Sequence, residues 1–275
     1  MIRRSPGARP IVCLLAILAA LAACSCGAAL TKLPSGPGAP APDAADALAE
    51  ATKSCRTVSS MTADASVSGS AGGRRLRARL NLGLQSPASA RLEAIGPFAR
   101  PLFVLAAQGE TATLLLNDDN RILEGGRPGA VLEAITGVPL EAGDLRDALT
   151  GCSSSTVSGG QQFGDHWRML RDGSRSIYLN RTAQTGPWRL AAVVHQGGTT
   201  PEWRAEYGDF VAGLPRTIRF VSSNPDRFNL RLQLRDIELN PALGPDAFVI
   251  RVPATATPIT LEELRRAGPL RDESR

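Results

Sequence analysis

The chain is predicted to adopt a mainly β fold: an antiparallel sheet with one dry face, covered on one side or end by short helices. Three observations predict it. Short runs alternate apolar and polar residues, turn-forming residues punctuate them, and stretches with helical spacing are few and brief. The cleanest alternation sets Phe228, Leu230, Leu232 and Leu234 on one face. Another run interleaves Leu76, Ala78, Leu80 and Leu82 with Arg75, Arg77, Arg79 and Asn81. One wet and one dry face describes antiparallel strands, and the absence of alternating βαβ units excludes a doubly wound sheet. The 275 residues suffice for one large core or two modest ones. With 43% hydrophobic but only 4% aromatic residues, that core must rest on Leu, Val, Ile and Ala.

The N-terminus carries its own signal. Arg3 and Arg4 precede an apolar run over 11–20, then Leu21-Ala22-Ala23-Cys24. A charged start, a short apolar stretch and small residues before a break have the form of a secretory signal. The run is shorter than the ~20 residues of a bilayer-spanning helix. Leu21-Ala22-Ala23-Cys24 resembles the lipobox of bacterial lipoproteins, in which cleavage before the cysteine leaves an acylated residue. The resemblance implies a signal peptide over 1–23, with Cys24 carrying fatty acyl chains such as palmitate. Two or more chains anchor stably, whereas one is marginal. Ser25, rather than Asp, follows the cysteine, which in that class points to the outer membrane, facing the periplasm. Removing Arg3, Arg4 and Arg9 from 31 basic and 26 acidic residues leaves 28 against 26, too even for a nucleic-acid footprint.

Four Pro and three Gly over 27–42 make residues 24–43 a lipidated start and flexible tether. Asp43 can cap a helix running roughly to Ser59, with Ala44, Ala47, Leu48, Ala51 and Cys55 at approximate helical spacing. Strands are expected from Thr62, over Arg75–Leu84, Ala88–Ile95, Leu102–Ala107 and Thr111–Leu116. After Gly125-Gly126, Pro128 opens a short helix through Ile135, with Gly137 near its end. A second runs from Gly143 through Leu149 and closes at Gly151. Further strands cover His166–Arg171, Ser176–Asn180, Trp188–His195, Glu202–Asp209, Thr217–Val221 and the run from Phe228. There the apolar parity slips to Ile237 and Leu239, and a bulge near Arg235-Asp236 absorbs the slip. The row Arg75, Arg77, Arg79 reads as a solvated sheet face.

The order of these elements, with Ile95-Gly96-Pro97-Phe98 and Ile135-Thr136-Gly137-Val138-Pro139-Leu140, resembles the LolB outer-membrane lipoprotein receptors and the wider LolA/LolB-like superfamily. The resemblance spans roughly 44–252 and leaves 253–275 as a tail with a short helix. It implies an unclosed, strongly curved antiparallel β-barrel with helices over its open side, enclosing an apolar cavity for acyl chains. It further implies membrane lipids, lipoprotein cargo or a periplasmic carrier as partners, and a monomer without cofactor. Leu80, Leu82, Leu105, Leu115, Val193, Phe220 and Leu232 are the candidate walls. A protruding loop used for membrane insertion corresponds to Pro97, Phe98 and Arg100, with Phe98 at the tip; a packed turn is the alternative. The Ser/Gly run over 153–160 departs from the pattern, as does the longer tail. A structural or sensory envelope lipoprotein on the same scaffold is the competing function.

Cysteine usage follows from the same frame. Cys13 leaves with the signal, Cys24 is blocked by acylation, and Cys26 lies beside the anchor. The scaffold resemblance places Cys55 and Cys152 over the open side, so a disulfide between them is expected, with two buried free thiols as the alternative.

No catalytic or metal constellation emerges. His166 and His195 lack zinc-ligand spacing, and Ser153, Ser154 and Ser155 lack a nucleophile elbow. Gly69–Arg74 lacks the lysine of a phosphate loop, so a turn is expected there.

Overall fold

The computed structural model describes residues 30–96, 101–153, 159–197, 202–224 and 226–267. Pro34 onward forms one compact unit that holds all the strands, helices and core clusters of the described chain; residues 30–33 lie outside it. Among the described residues the architecture is one 15-stranded sheet with four short helices.

The chain enters through β1 (Ala39–Pro40), helix α1 (Ala44–Ala51) and a 3-10 turn at Cys55–Thr57. Then come β2 (Ser60–Ala71), β3 (Arg74–Gln85), β4 (Ser89–Ile95), β5 (Pro101–Gln108), β6 (Thr111–Leu116) and β7 (Arg121–Gly126). Helices α2 (Pro128–Thr136) and α3 (Ala142–Thr150) follow. The second half supplies β8 (Gln161–Phe163), β9 (Trp167–Asp172), β10 (Arg175–Asn180), β11 (Arg189–His195), β12 (Trp203–Gly208), β13 (Thr217–Ser222) and β14 (Phe228–Leu239). A 3-10 turn at Pro245–Phe248, β15 (Thr257–Pro258) and α4 (Leu261–Ala267) end the described chain.

Long antiparallel pairing makes β14, β2 and β3 the spine, from which shorter strands continue on either side. Only the last pair, β15 on β7, is parallel. Leu76, Leu80, Leu82 and Leu84 of β3 and Leu230, Leu232 and Leu234 of β14 flank the small residues Ala63, Ala65 and Gly69 of β2 on one face. The expected slip lies where it was placed: the β14–β2 register shifts between Arg235 and Glu238, and Asp236 takes a positive φ of 47°.

Both cover helices stop for a local reason. Gly137 and Gly151 take the left-handed conformation at their C-termini, where a side chain would be strained. The first helix is shorter than expected, ending at Ala51 before the 3-10 turn. Asp43 makes no side-chain cap. Its carboxylate instead accepts two hydrogen bonds from Arg168, at 2.8 and 2.9 Å. A bidentate charged pair outcompetes a cap because it also satisfies a guanidinium only 7% exposed.

The sequence reading missed β1, β7, β8 and β15. Residues 39–41, expected in the tether, are part of the body: β1 pairs with β8 and Ala41 is buried. Residues 253–267, expected in a tail, extend the sheet and return to the core, where Leu264 is fully buried on the α2 side.

Gly69 supplies the tightest backbone approach. Its φ is +140°, and a Cβ there would lie 2.0 Å from the carbonyl oxygen of Asn229 on β14. Gly69→Ala is expected to lower stability by on the order of 2–4 kcal/mol through strain and forced strand separation, read by urea unfolding.

Candidate functional site: a covered concave face

The concave face is built from alternate side chains of the strands. Leu80, Leu82, Leu105, Phe220 and Leu232 all lie on it and all belong to the main apolar core. The facing surface comes from α2 and α3, through Val131, Leu132, Ile135, Leu145 and Leu149, with Leu264 of α4 behind them. None of the five sheet residues is more than 9% exposed. They pack directly against one another and the cover.

Of the two remaining wall candidates, Val193 lies on the same sheet face, directly opposite Ala205 of the main core, whereas Leu115 does not. Val193 belongs to a second, smaller core with α1, Leu170, Ile177, Leu179 and Trp188. Leu115 takes the outer face, opposite to Leu114 and Leu116 of the main core. It pairs there with Val104 and Ile122. The segment after β14 runs across this side, donated to by Arg91, whose Nη1 lies 3.3 Å from the carbonyl oxygens of Ala247 and Val249. Three consecutive leucines gave no parity from which the face could be read.

Several tethers hold the cover. The Cys55–Cys152 disulfide joins the end of the first helical segment to the residue following α3's cap, 97 positions away. Glu133 of α2 meets Arg227 at 2.9 Å. Glu141, just before α3, accepts a hydrogen bond from the Gly129 N–H of α2 at 2.8 Å. The insertion-loop candidates Pro97, Phe98 and Arg100 lie outside the described residues, as do Cys24 and the lipobox.

At the rim between α3 and β10–β12 lies a polar cluster that the sequence did not disclose. His195 stacks on Trp203, with ring centroids 3.8 Å apart and planes within 7°. Asp144, Asp147, Arg175 and Tyr207 surround a cavity of about 20 Å³ there, room for about one water. Burial raises the Asp144 carboxyl and the Tyr207 hydroxyl above their ordinary values. Burial, with Arg175 adding to it, lowers His195 to about 4. A neutral, stacked imidazole is a packing element here. His166 is exposed, with Nδ1 3.1 Å from the Arg181 carbonyl oxygen.

A second cleft, of about 480 Å³, opens beside the disulfide and is walled mainly by polar groups, including Arg56, Thr57, Ser59, Arg146 and Ser153. Among the described residues no group of three or more His, Cys, Asp or Glu is placed to hold a metal ion, and no helix is long and apolar enough to cross a membrane.

No family model matches the sequence. No curated protein matches it. Among solved structures, a LolA superfamily protein from Nitrosomonas europaea superposes with a TM-score of 0.52 at 12% identity, over 75% of this chain and 97% of the other. The fold is LolA-like. Lipoprotein LppX from Mycobacterium tuberculosis gives a TM-score of 0.34 at 10% identity, over 74% and 98%. The expectation of LolB in particular is reduced to a LolA-like fold.

Two tests follow. Replacing Cys55 and Cys152 together with Ser is expected to cost about 2–5 kcal/mol in urea unfolding, since the bridge closes a long loop. Separately, His195 has a folded value below the unfolded 6.5, so the unfolded chain binds more protons between them. Its contribution is present above pH 6.5 and is lost as pH falls toward about 4. His195→Gln is expected to flatten the stability–pH curve across that window; an unchanged slope contradicts the assignment.

Proposed function

We propose that this chain is a non-enzymatic, lipid-anchored envelope protein that binds acyl chains of lipids or lipoproteins between its concave sheet and its helical cover. The observation that carries the reading is the continuous apolar concave face under helices α2 and α3, on a LolA-like fold. Burying each methylene there contributes roughly 0.8 kcal/mol, enough for a long chain to be held without any chemistry. Because the described conformation is packed shut, entry requires the cover to lift, with Leu80, Leu82, Leu105, Phe220 and Leu232 becoming the wall. Cys24 is the acylated N-terminus, the membrane is the outer membrane seen from the periplasm, and the body acts as a monomer. Pro97, Phe98 and Arg100 form the loop that enters the bilayer, possession of which makes reception from a periplasmic carrier and insertion of lipoprotein cargo the fuller role.

A second reading has its own support. The buried concave residues and the cavity of only about 20 Å³ at the rim favour a structural or sensory lipoprotein that kept the scaffold without a ligand.

The unit from Pro34 onward, produced without leader or anchor, separates the two. A fluorescent fatty-acid probe is expected to bind saturably and to be displaced by phospholipid. A folded sample without saturable binding selects the scaffold reading. For the anchor, Cys24→Ala in the full chain is expected to abolish metabolic labelling with a fatty-acid analogue; undiminished labelling contradicts it.

A further inference from the structure

The outer face of the spine carries more than the single arginine row visible in the sequence. On β3, Arg75, Arg77 and Arg79 point away from the core, since Leu76 and Leu80 between and beyond them are buried in it. Strand pairing puts these arginines opposite Ser70, Ser68 and Ser66 of β2. The same serines pair on their other side with Asn229, Arg231 and Gln233 of β14, and Arg231 pairs in turn with Arg219 of β13. The result is a serine-floored trough with three arginines along one side and Arg231, backed by Arg219, on the other.

The charge of the β3 row and of Arg231 is poorly neutralised by the protein. Among the described residues Arg75, Arg77, Arg79 and Arg231 have no carboxylate within ion-pair distance. Nearby acids are committed or peripheral. Glu206, opposite Arg219, is bridged to Arg204 at 2.7 Å. Glu93 faces Arg91, and Asp64 lies at the far end opposite Arg235. Arg219 itself is oriented by Asn229, whose Oδ1 accepts from its Nε at 3.0 Å. At the centre, the Arg231 Nε is buried without a hydrogen-bond acceptor, a rare and costly state for a guanidinium.

We propose that this outer face docks on the phosphate groups of an anionic lipid leaflet. Complementarity of charge is the first argument, because arginine forks pair with phosphate oxygens. Spacing is the second. Arginines two residues apart on β3 lie about 7 Å apart, and Arg231 of β14, two strands away, lies roughly 10 Å from that row. That grid is too wide for one phosphate and suits a repeating sheet of them, the setting in which clustered basic residues bind membranes. Docking there lays the spine against the headgroups and leaves the helical cover facing away. The inference is independent of what the concave face binds.

Flotation of the unit from Pro34 onward with vesicles tests it. Vesicles of phosphatidylcholine alone are compared with vesicles containing phosphatidylglycerol. Binding is expected only to the latter and is expected to weaken at least about tenfold at high salt. Arg77→Glu/Arg79→Glu is expected to lose at least about tenfold in affinity, whereas the control Arg56→Glu/Arg265→Glu, exposed elsewhere, retains it. Circular dichroism establishes that each variant folds; should charge reversal disturb β3, the milder Arg77→Gln/Arg79→Gln carries the test. Equal binding to both vesicle types, or equal loss in test and control variants, overturns the proposal. Capture of soluble polyphosphate without vesicle binding overturns it too, in favour of a free polyanion. The acyl-probe assay on the same variants is expected to be unchanged, so the two results fail separately.

Discussion

A sheet that curls without closing presents leucines and phenylalanines along its whole concave side, and water solvates them poorly. Covering that side is the constraint on which the rest of this molecule depends. Phe103, Leu105, Leu114, Phe228 and Leu230 need partners, and the strands themselves cannot supply them. Helices α2 and α3 do so from the middle of the chain, and α4 backs them from its far end. Fully burying each large side chain stabilises by roughly 1.5–3 kcal/mol, so the cover contributes as much to the fold as the hydrogen-bonded ladder does to its geometry.

How the cover is held explains its other features. It is attached at a disulfide, at Glu133–Arg227 and through Glu141, all near helix ends. The sheet beneath is continuous and deeply paired. The cover's own leucines also pack into the main core, so any ligand for the concave face must displace that packing as well as work against these tethers. The outer face is subject to a different constraint. Where the segment 241–256 crosses it, Val104, Leu115 and Ile122 are buried; where no described segment crosses it, it carries arginines and serines.

Much of the fold was legible because period-2 alternation survives in strands with one wet side. The runs at β3 and β14, the slip at Arg235-Asp236 and the glycines ending α2 and α3 all follow from local chemistry. The Cys55–Cys152 bridge followed from few cysteines and a resemblance. What escaped depends on distant partners. Two-residue strands such as Ala39–Pro40 have no period. Asp43 reads as a cap until Arg168, 125 residues away, claims its carboxylate. Leu115 cannot be assigned a face until the returning C-terminal segment is in place. His195 looked like the end of an apolar run, and only pairing with β12 brings Trp203 against it. The arginine row on β3 reads as a solvated face and is exposed as one; what the sequence hides is its counterpart, Arg231, which comes from β14 through β2.

Ligand entry as proposed requires the helices to separate from a sheet that stays paired. Hydrogen–deuterium exchange by mass spectrometry, on the unit from Pro34 onward with and without a saturating fatty acid, measures this directly. Slow exchange is expected in β2, β3 and β14 throughout, with faster exchange over 128–150 in the free protein. A ligand-induced change is expected only in that cover and the concave strands it faces. Exchange over 128–150 as slow as in the spine, and unaltered by the fatty acid, would contradict a separable cover.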